Sequence, residues 1–590
     1  MSDGLIFEHP FDLPSDFLPY NYFPAAFGLV ADRPDPMNRI VLVLPGEAGG
    51  RRSSVEYHVM AHENLTDAAL LEKFLDERGF DRDSAFERCF LGPPTRLDET
   101  AVGQARQMQF DTLEFATEQV ITQVAVIIDI GIAFWNPVFR SQTGPRFKAM
   151  RYLDFDAFSR GQPALEPLSA NEIDGFCRIA DIGGGQDRIV AALGARFPDS
   201  YFGAHGAAEP GTLWHGTAMA DLMAGLPHDA PDTTALMGIE LPMTVLRNAD
   251  GDSLGAALTV LLEGALEMTA SQFSGVPLVV ALPWGFTGGP QDGSHPFAME
   301  IDRVLAMYPD RSVKFLLPMG NQMQDRCCAH ILPSSAGEPE NTVIWQLPPD
   351  DFSENSAEFN VVSTGVGAMQ TVRLTAPTGE TAVILLKEAQ GMKIRRDGVV
   401  IGGLVRSKDI ASGPRLRLVF GPTGWQAGTA KPAFAGNWTL SFHQRDEVRI
   451  WVLRDDRDWA LDKALPRRAS RLFDQNYRER DAHDAYLLTD STNSTVVRAG
   501  TASVLATARS AIAVQADETL GTAKPQPAWY SGSRTSGRAA ERAVTIDTGR
   551  HNAGVLAAAN GTAQRVKVSG TSAAIALAAR AYLGLPARPA

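Results

Sequence analysis

Three short segments of this 590-residue sequence carry residue types that could do nucleophilic chemistry. Near the C-terminal end, Val568-Ser569-Gly570-Thr571-Ser572-Ala573-Ala574 sets a serine after a Gly-Thr turn, in the first turn of a small-residue helix. A helix start offers unpaired backbone N–H groups and a positive dipole end. Both suit a serine nucleophile, whose attack on a carbonyl creates an oxyanion nearby. Ser and Thr also cap helices routinely, so the segment alone reads as structure too. His215-Gly216-Thr217-Ala218-Met219-Ala220 opens a second helix, where the dipole disfavours the protonated ring and favours a neutral base. Val124-Ala125-Val126-Ile127-Ile128-Asp129-Ile130-Gly131-Ile132 reads as a buried strand with an acid at its carboxyl end. Such a carboxylate is poorly solvated and needs a partner, or it caps the following turn. Sites in open α/β sheets lie at those strand ends.

In chain order the three segments run Asp, His, Ser, as in subtilisin and unlike chymotrypsin or the α/β-hydrolases. The segments resemble the blocks of the subtilase family, the subtilisin-like serine endopeptidases. Three further stretches agree in order. Leu278-Val279-Val280-Ala281-Leu282-Pro283-Trp284-Gly285 is similar to the strand and loop that pair with the substrate backbone. Phe315-Leu316-Leu317-Pro318-Met319-Gly320-Asn321 is similar to the strand ending in Gly-Asn. Ser503-Val504 through Ala516, then Tyr530-Ser531-Gly532-Ser533, is similar to the late strand and serine-rich turn. The resemblance spans residues 119–330 and 490–585. It implies Asp129, His215 and Ser572 as a triad, with the Asn321 amide and the Ser572 N–H binding the oxyanion. It also implies Pro283, Trp284 and Gly285 against the substrate strand, and Pro318, Met319 and Gly320 along the first specificity pocket. Trp284 reads as a core aromatic as well. The family commonly binds calcium; no ligands are assigned here, and no cofactor or other metal is expected. The chain departs from the family at Ile130, Ala218, Asp221 and Ala576, and its Asn321 and Ser572 stand 251 residues apart.

The elements around these segments give the expected architecture. Alternating apolar runs and helical patterns predict an α/β fold, a subtilisin-like parallel sheet flanked by helices. Its strands are expected at Val124–Asp129, Pro277–Leu282, Val313–Leu317 and Ser510–Ala516. Its helices are expected at Arg188–Arg196, Ala218–Leu226, Gly255–Ala270 and Ser572–Leu583. Between the halves, residues 341–455 show eight short strand patterns split by turn signals such as Asp397-Gly398. These are Thr342–Leu347, Glu358–Val362, Thr371–Thr375, Ala382–Lys387, Val399–Val405, Arg415–Phe420, Trp438–Phe442 and Val448–Leu453. They predict an inserted all-β sandwich of jelly-roll type. The expected division is 1–117, an N-terminal α+β region that is an accessory domain or pro-segment; 118–340, the first catalytic part; 341–455, the insertion; 456–490, a connection; and 491–590, the second catalytic part. The N-terminal region is expected to hold a strand at Ile40–Leu44 and helices at Thr66–Arg78 and Thr100–Glu118. The connection is expected to hold some helix around Ala464–Arg480.

Composition bounds the partners. The chain is 44% hydrophobic and 21% charged, which excludes wholesale disorder. Its 69 acidic against 54 basic residues leave a net charge of −15, which argues against a nucleic-acid partner. A peptide or protein substrate is the expected partner; oligomeric state is left open. Cys89, Cys177, Cys327 and Cys328 are too few for a disulfide framework and lack zinc spacing, so buried or free thiols are expected. No basic n-region precedes an apolar run, and no stretch reaches about 20 apolar residues. A cytoplasmic protein without a membrane span is therefore expected. Two other functions compete. One is a non-catalytic binding protein on a subtilase-like scaffold. The other rests on Ile179-Ala180-Asp181-Ile182-Gly183-Gly184-Gly185-Gln186, which resembles the first motif of S-adenosylmethionine-dependent methyltransferases.

Overall fold

The structure is a computed structural model. It describes residues 5–8, 11–12, 38–48, 51–62, 89–92, 105–109, 120–154, 165–205, 214–243, 252–270, 275–309, 312–334, 341–363, 371–387, 390–406, 415–424, 432–443, 446–453, 468–519, 524–535, 540, 542–547 and 554–588.

A nine-stranded sheet forms the frame. Its order is Leu165–Leu168, Phe147–Leu153, Thr234–Glu240, Gln123–Asp129, Leu278–Ala281, Val313–Pro318, Ile512–Thr519 and Gln526–Pro527, with Arg542–Asp547 also pairing Ile512–Thr519. Neighbours are parallel except Leu165–Leu168 and Gln526–Pro527. The apolar run from Val124 to Ile128 is wholly buried, as a central strand covered on both faces requires. Gln123–Asp129 comes first in the chain among the parallel strands and has later ones on both sides of it. The carboxyl end of such a strand is where diverging crossovers leave a crevice.

The helices His215–Ala224 and Thr571–Tyr582 lie side by side against this sheet. Thr571–Tyr582 buries Ala573, Ala574, Ala576, Ala578 and Ala579, small residues that let it approach its neighbours closely. Asp252–Ala270 and Pro296–Ala306 pack against each other. The strands Phe147–Leu153 and Thr234–Glu240 were not expected. The first carries Lys148 and Arg151, which interrupt its apolar run; the Lys148 ammonium is paired 2.9 Å from Asp232.

The strands of residues 341–453, joined by others from outside that span, form two antiparallel sheets over one core. One runs Leu5–Phe7, Gln390–Arg396, Val399–Arg406, Arg415–Phe420, Asn355–Ser363, Asp446–Leu453 and Cys328–Ile331, with Phe11–Asp12 also on Gln390–Arg396. The other runs Thr381–Leu385, Thr371–Thr375, Gly436–Phe442, Asn341–Leu347 and Arg471–Phe473. Trp345, Phe359, Phe420, Trp438 and Ile450 fill the space between them, with the Phe420 and Trp438 rings 4.2 Å apart. All eight expected strands are present, their ends within three residues of the expected bounds. Gln390–Arg396 is added, and so are strands lying before 341 and after 455.

Three expectations are corrected. In place of a helix over Thr100–Glu118 there is a strand at Ala105–Gln109, paired to Arg51–His62 in a sheet with Asn38–Ala48 and Cys89–Gly92. The remainder of that span, and the helix expected at Thr66–Arg78, lie outside the described residues. The described part of Ala464–Arg480 holds the strand Arg471–Phe473 and turns. The glycines at 183–185 join two helices, Ala170–Ala180 and Gly185–Arg196, so no strand feeds them. That removes the strand-to-helix geometry on which the methyltransferase reading depends. No described helix is long and apolar enough to cross a membrane.

The departure at Asp221 has a structural reason. Its fully buried carboxylate accepts the Ala558 N–H at 2.8 Å and pairs with Arg588, while Arg565 stands 3.5 Å away. It ties the His215 helix to the hairpin Val555–Ala558 and Arg565–Val568 that leads into the Ser572 helix, and to the last described residues. Removing the partner of a buried charge strands it without water. Arg588→Ala is therefore expected to lower stability by about 3 kcal/mol, read as a reduced urea midpoint.

Candidate functional site

Asp129 ends its strand with 1% exposure. Its carboxylate accepts the His215 Nδ1–H at 2.8 and 2.9 Å and the Ile130 N–H at 2.8 Å. A carboxylate stripped of water is held here by a ring N–H and a backbone N–H. The imidazole is about one-fifth exposed, so it is reachable from outside.

Each residue of His215-Gly216-Thr217 serves this junction. Gly216 lets the helix press onto the turn after Asp129; a Cβ there would stand 2.5 Å from Ile130 O. Its N–H donates to that same oxygen at 2.6 Å. Thr217 bridges the turn, donating from Oγ1 to Gly131 O at 2.6 Å and accepting the Ala133 N–H at 2.8 Å. Trp214 N–H donates to Ala559 O at 2.8 Å, which fixes the helix start from the other side.

Behind the junction lies an acid the sequence reading missed. Glu240 ends the strand beside Asp129 in direct register with it. It is 1% exposed, and its carboxyl accepts the Gly131 and Ile132 N–H groups at 2.7 and 3.0 Å. Burial pushes its pKa up to about 8, with the Asp129 charge adding to the rise and those N–H donors pulling against it. A signal for it existed: Thr234–Glu240, like Val124–Asp129, is an apolar run closed by an acid.

Ser572 is the second residue of its helix, after Gly570 at φ +106°. Its Oγ donates to Pro283 O at 3.1 Å, at the end of the strand Leu278–Ala281. Asn321 Oδ1 accepts both the N–H and the Oγ1–H of Thr571 at 3.0 Å. That fixes which way the amide faces and leaves Nδ2 as its donor end, beside Gly570, whose Cβ would lie 3.4 Å from it. Tyr530 adds a brace: its hydroxyl accepts the Gly570 N–H at 3.1 Å.

The structure thus gathers Asp129 with His215, and Ser572 with Asn321 and Pro283, on two adjacent helices and the strand ends between them. Trp284 is 5% exposed within the sheet core, so its ring lies in the core. Gly285 faces Ser503, whose Oγ a Cβ at 285 would overlap. Pro318 and Met319 are buried, and Gly320 turns at φ +89°. The Met319 carbonyl accepts the Ser503 N–H at 2.7 Å. Among the described residues no three His, Cys, Asp or Glu side chains gather as a metal site. Cys177, Cys327 and Cys328 are buried free thiols.

No family model and no curated protein matches the sequence. The fold matches that of the Clostridium perfringens CspB protease, with a TM-score of 0.50 at 14% identity. The match covers 78% of this chain and 81% of that one.

Glu240 gives this site a pH signature. Between about pH 4.5 and 8 the unfolded chain has lost the Glu240 proton while the native protein keeps it. The stability it contributes therefore falls as pH rises through that window. Glu240→Gln removes the decline, so the variant's Tm is expected to gain on wild type from pH 4.5 to 8 and then level off. A Tm difference constant across the window would contradict this.

Proposed function

We propose that the protein is a subtilisin-like serine endopeptidase. The observation that carries the reading is the bond from His215 Nδ1–H to a water-stripped Asp129 carboxylate, beside a helix with Ser572 in its first turn. The fold shared with a protease supports it.

In this reading Ser572 Oγ attacks a peptide carbonyl carbon. The His215 ring, oriented through Nδ1 by Asp129, takes the hydroxyl proton and later gives it to the leaving amine. Asp129 keeps the ring in one tautomer and stabilises the imidazolium. The Asn321 Nδ2–H and the Ser572 N–H, one of the first helical donors without an intrahelical partner, bind the oxyanion. Water then releases the acyl group from Ser572 by the same proton path in reverse. Pro283 to Gly285 hold the substrate strand through their backbone, since the Trp284 ring is in the core. Pro318, Met319 and Gly320 line the first specificity pocket.

An alkyl fluorophosphonate tests the nucleophile, since it needs an activated serine and little else. Wild type is expected to be labelled and Ser572→Ala to lose the label, read by intact mass. Equal labelling of both proteins would remove Ser572 from the role.

The N-terminal 117 residues fit a pro-segment that assists folding or blocks the site. Their strands Arg51–His62 and Cys89–Gly92 lie against the helix Asp252–Ala270, as a segment that templates the enzyme would. Mass spectrometry of the active protein is expected to find a new N-terminus near residue 118. An active chain that still begins at Met1 would exclude removal of the segment.

A further inference from the structure

The segment from Pro283 to Gln291 runs from the Ser572 hydroxyl to the inserted sandwich. At its near end Pro283 O accepts the serine Oγ–H at 3.1 Å. Along one flank it is tied to the stretch at Ala502–Val504. Val504 N–H donates to Phe286 O at 3.0 Å, and Gln291 Nε2 donates to Gly288 O and Ala502 O at 3.0 and 2.7 Å.

At its far end the sandwich takes hold of both polar groups of one peptide residue. Gly289 N–H donates to Glu358 Oε2 at 3.2 Å, and Gly289 O accepts from Arg415 Nη2 at 3.0 Å. Glu358 and Arg415 come from adjacent strands of the sandwich and pair with each other at 3.2 Å. Their side chains are 6% and 11% exposed. The Trp451 ring, from the next strand, covers Gly289 so closely that a Cβ would enter it. Only glycine fits that space. The same sandwich strand sends charge further in: at the start of the helix Pro296–Ala306, burial holds the His295 imidazole well below its usual pKa, and the Arg415 and Arg417 charges add to the shift.

A binding module tethered for its own ligand has no need to grip another domain's backbone in this way. A buried ion pair costs desolvation and gains most when its geometry satisfies further hydrogen bonds. Here those bonds go to one peptide of the loop that begins beside the nucleophile. We propose that the inserted sandwich is part of the substrate-binding apparatus, with Glu358, Arg415 and Trp451 as positioning residues that hold the 283–289 strip in register for a peptide strand. This rests on the endopeptidase reading above, in which Pro283 to Gly285, the near end of that strip, pair with substrate. None of the three touches the reacting atoms, so their loss affects peptide binding more than the serine's own reactivity.

Two probes separate the roles. An alkyl fluorophosphonate reports the reactivity of Ser572, and a mixed-sequence tetrapeptidyl phosphonate reports the same serine reached through the strip. The full chain is compared with Glu358→Gln and Gly289→Ala, each with its Tm. Both variants are expected to need about tenfold more peptidyl probe for half-maximal rate, with the maximal rate and the alkyl rate within about twofold of wild type. Peptidyl half-saturation unchanged in both variants would overturn the proposal. So would a parallel fall in both probe rates together with Tm, which is what a merely structural role predicts. A wild type that takes the alkyl probe but not the peptidyl pool overturns it too, while leaving the serine assignment intact. A wild type labelled by neither removes the endopeptidase reading, and the positioning role with it.

Discussion

A carboxylate at the end of a central parallel strand cannot keep its water, and the protein is built around that fact. Asp129 is 1% exposed, and its charge is held by the His215 ring N–H and the Ile130 N–H. For the ring to arrive, its helix must press on the turn after the strand, which only a glycine at 216 allows. For the turn to stay, its free N–H groups need acceptors, and Thr217 and Glu240 supply them. The junction is therefore a small network in which each polar group satisfies another, and losing one exposes the rest to a dry interior.

The second charged core lies where the sandwich meets the sheet domain. Glu358, Arg415 and Arg417 are buried or nearly so, on strands whose other face fills an apolar core. Through Gly289, Glu358 and Arg415 tie the sandwich to the loop whose other end, at Pro283, meets the Ser572 hydroxyl. The insertion returns onto the loop 283–291, and the chain then re-enters the sheet at Ile512–Thr519 beside Val313–Pro318. A third charged anchor, Asp221 with Arg588, ties the helix carrying His215 to the hairpin before the Ser572 helix and to the last described residues.

Much of the frame was legible because its signals are local. Apolar runs marked Val124–Asp129, Leu278–Ala281 and, despite Lys314, Val313–Pro318, and turn residues marked the eight sandwich strands. What escaped was governed by distant partners. Phe147–Leu153 hides its pattern behind Lys148 and Arg151, whose charges are answered only in the fold. Ala105–Gln109 has the residues of a helix and becomes a strand because Arg51–His62 pairs with it, a case of tertiary context overriding propensity. The glycines at 183–185 looked like a ligand loop because sequence does not show that a helix precedes them.

By itself the sequence determined which residue types stand at strand ends and helix starts, since periodicity, glycine and capping signals act over a few residues. That was enough to raise Asp129, His215 and Ser572 as candidates; Asn321 came only from the resemblance of its strand to the subtilase block ending in Gly-Asn. The tertiary structure alone decided which of them meet, because contacts between residues such as Asn321 and Thr571, 250 positions apart, depend on how the sheet closes. It also decided what stands behind them. Glu240 and Tyr530 become braces, and Glu358 and Arg415 become a grip on Gly289, only when burial leaves their polar atoms no water to bind.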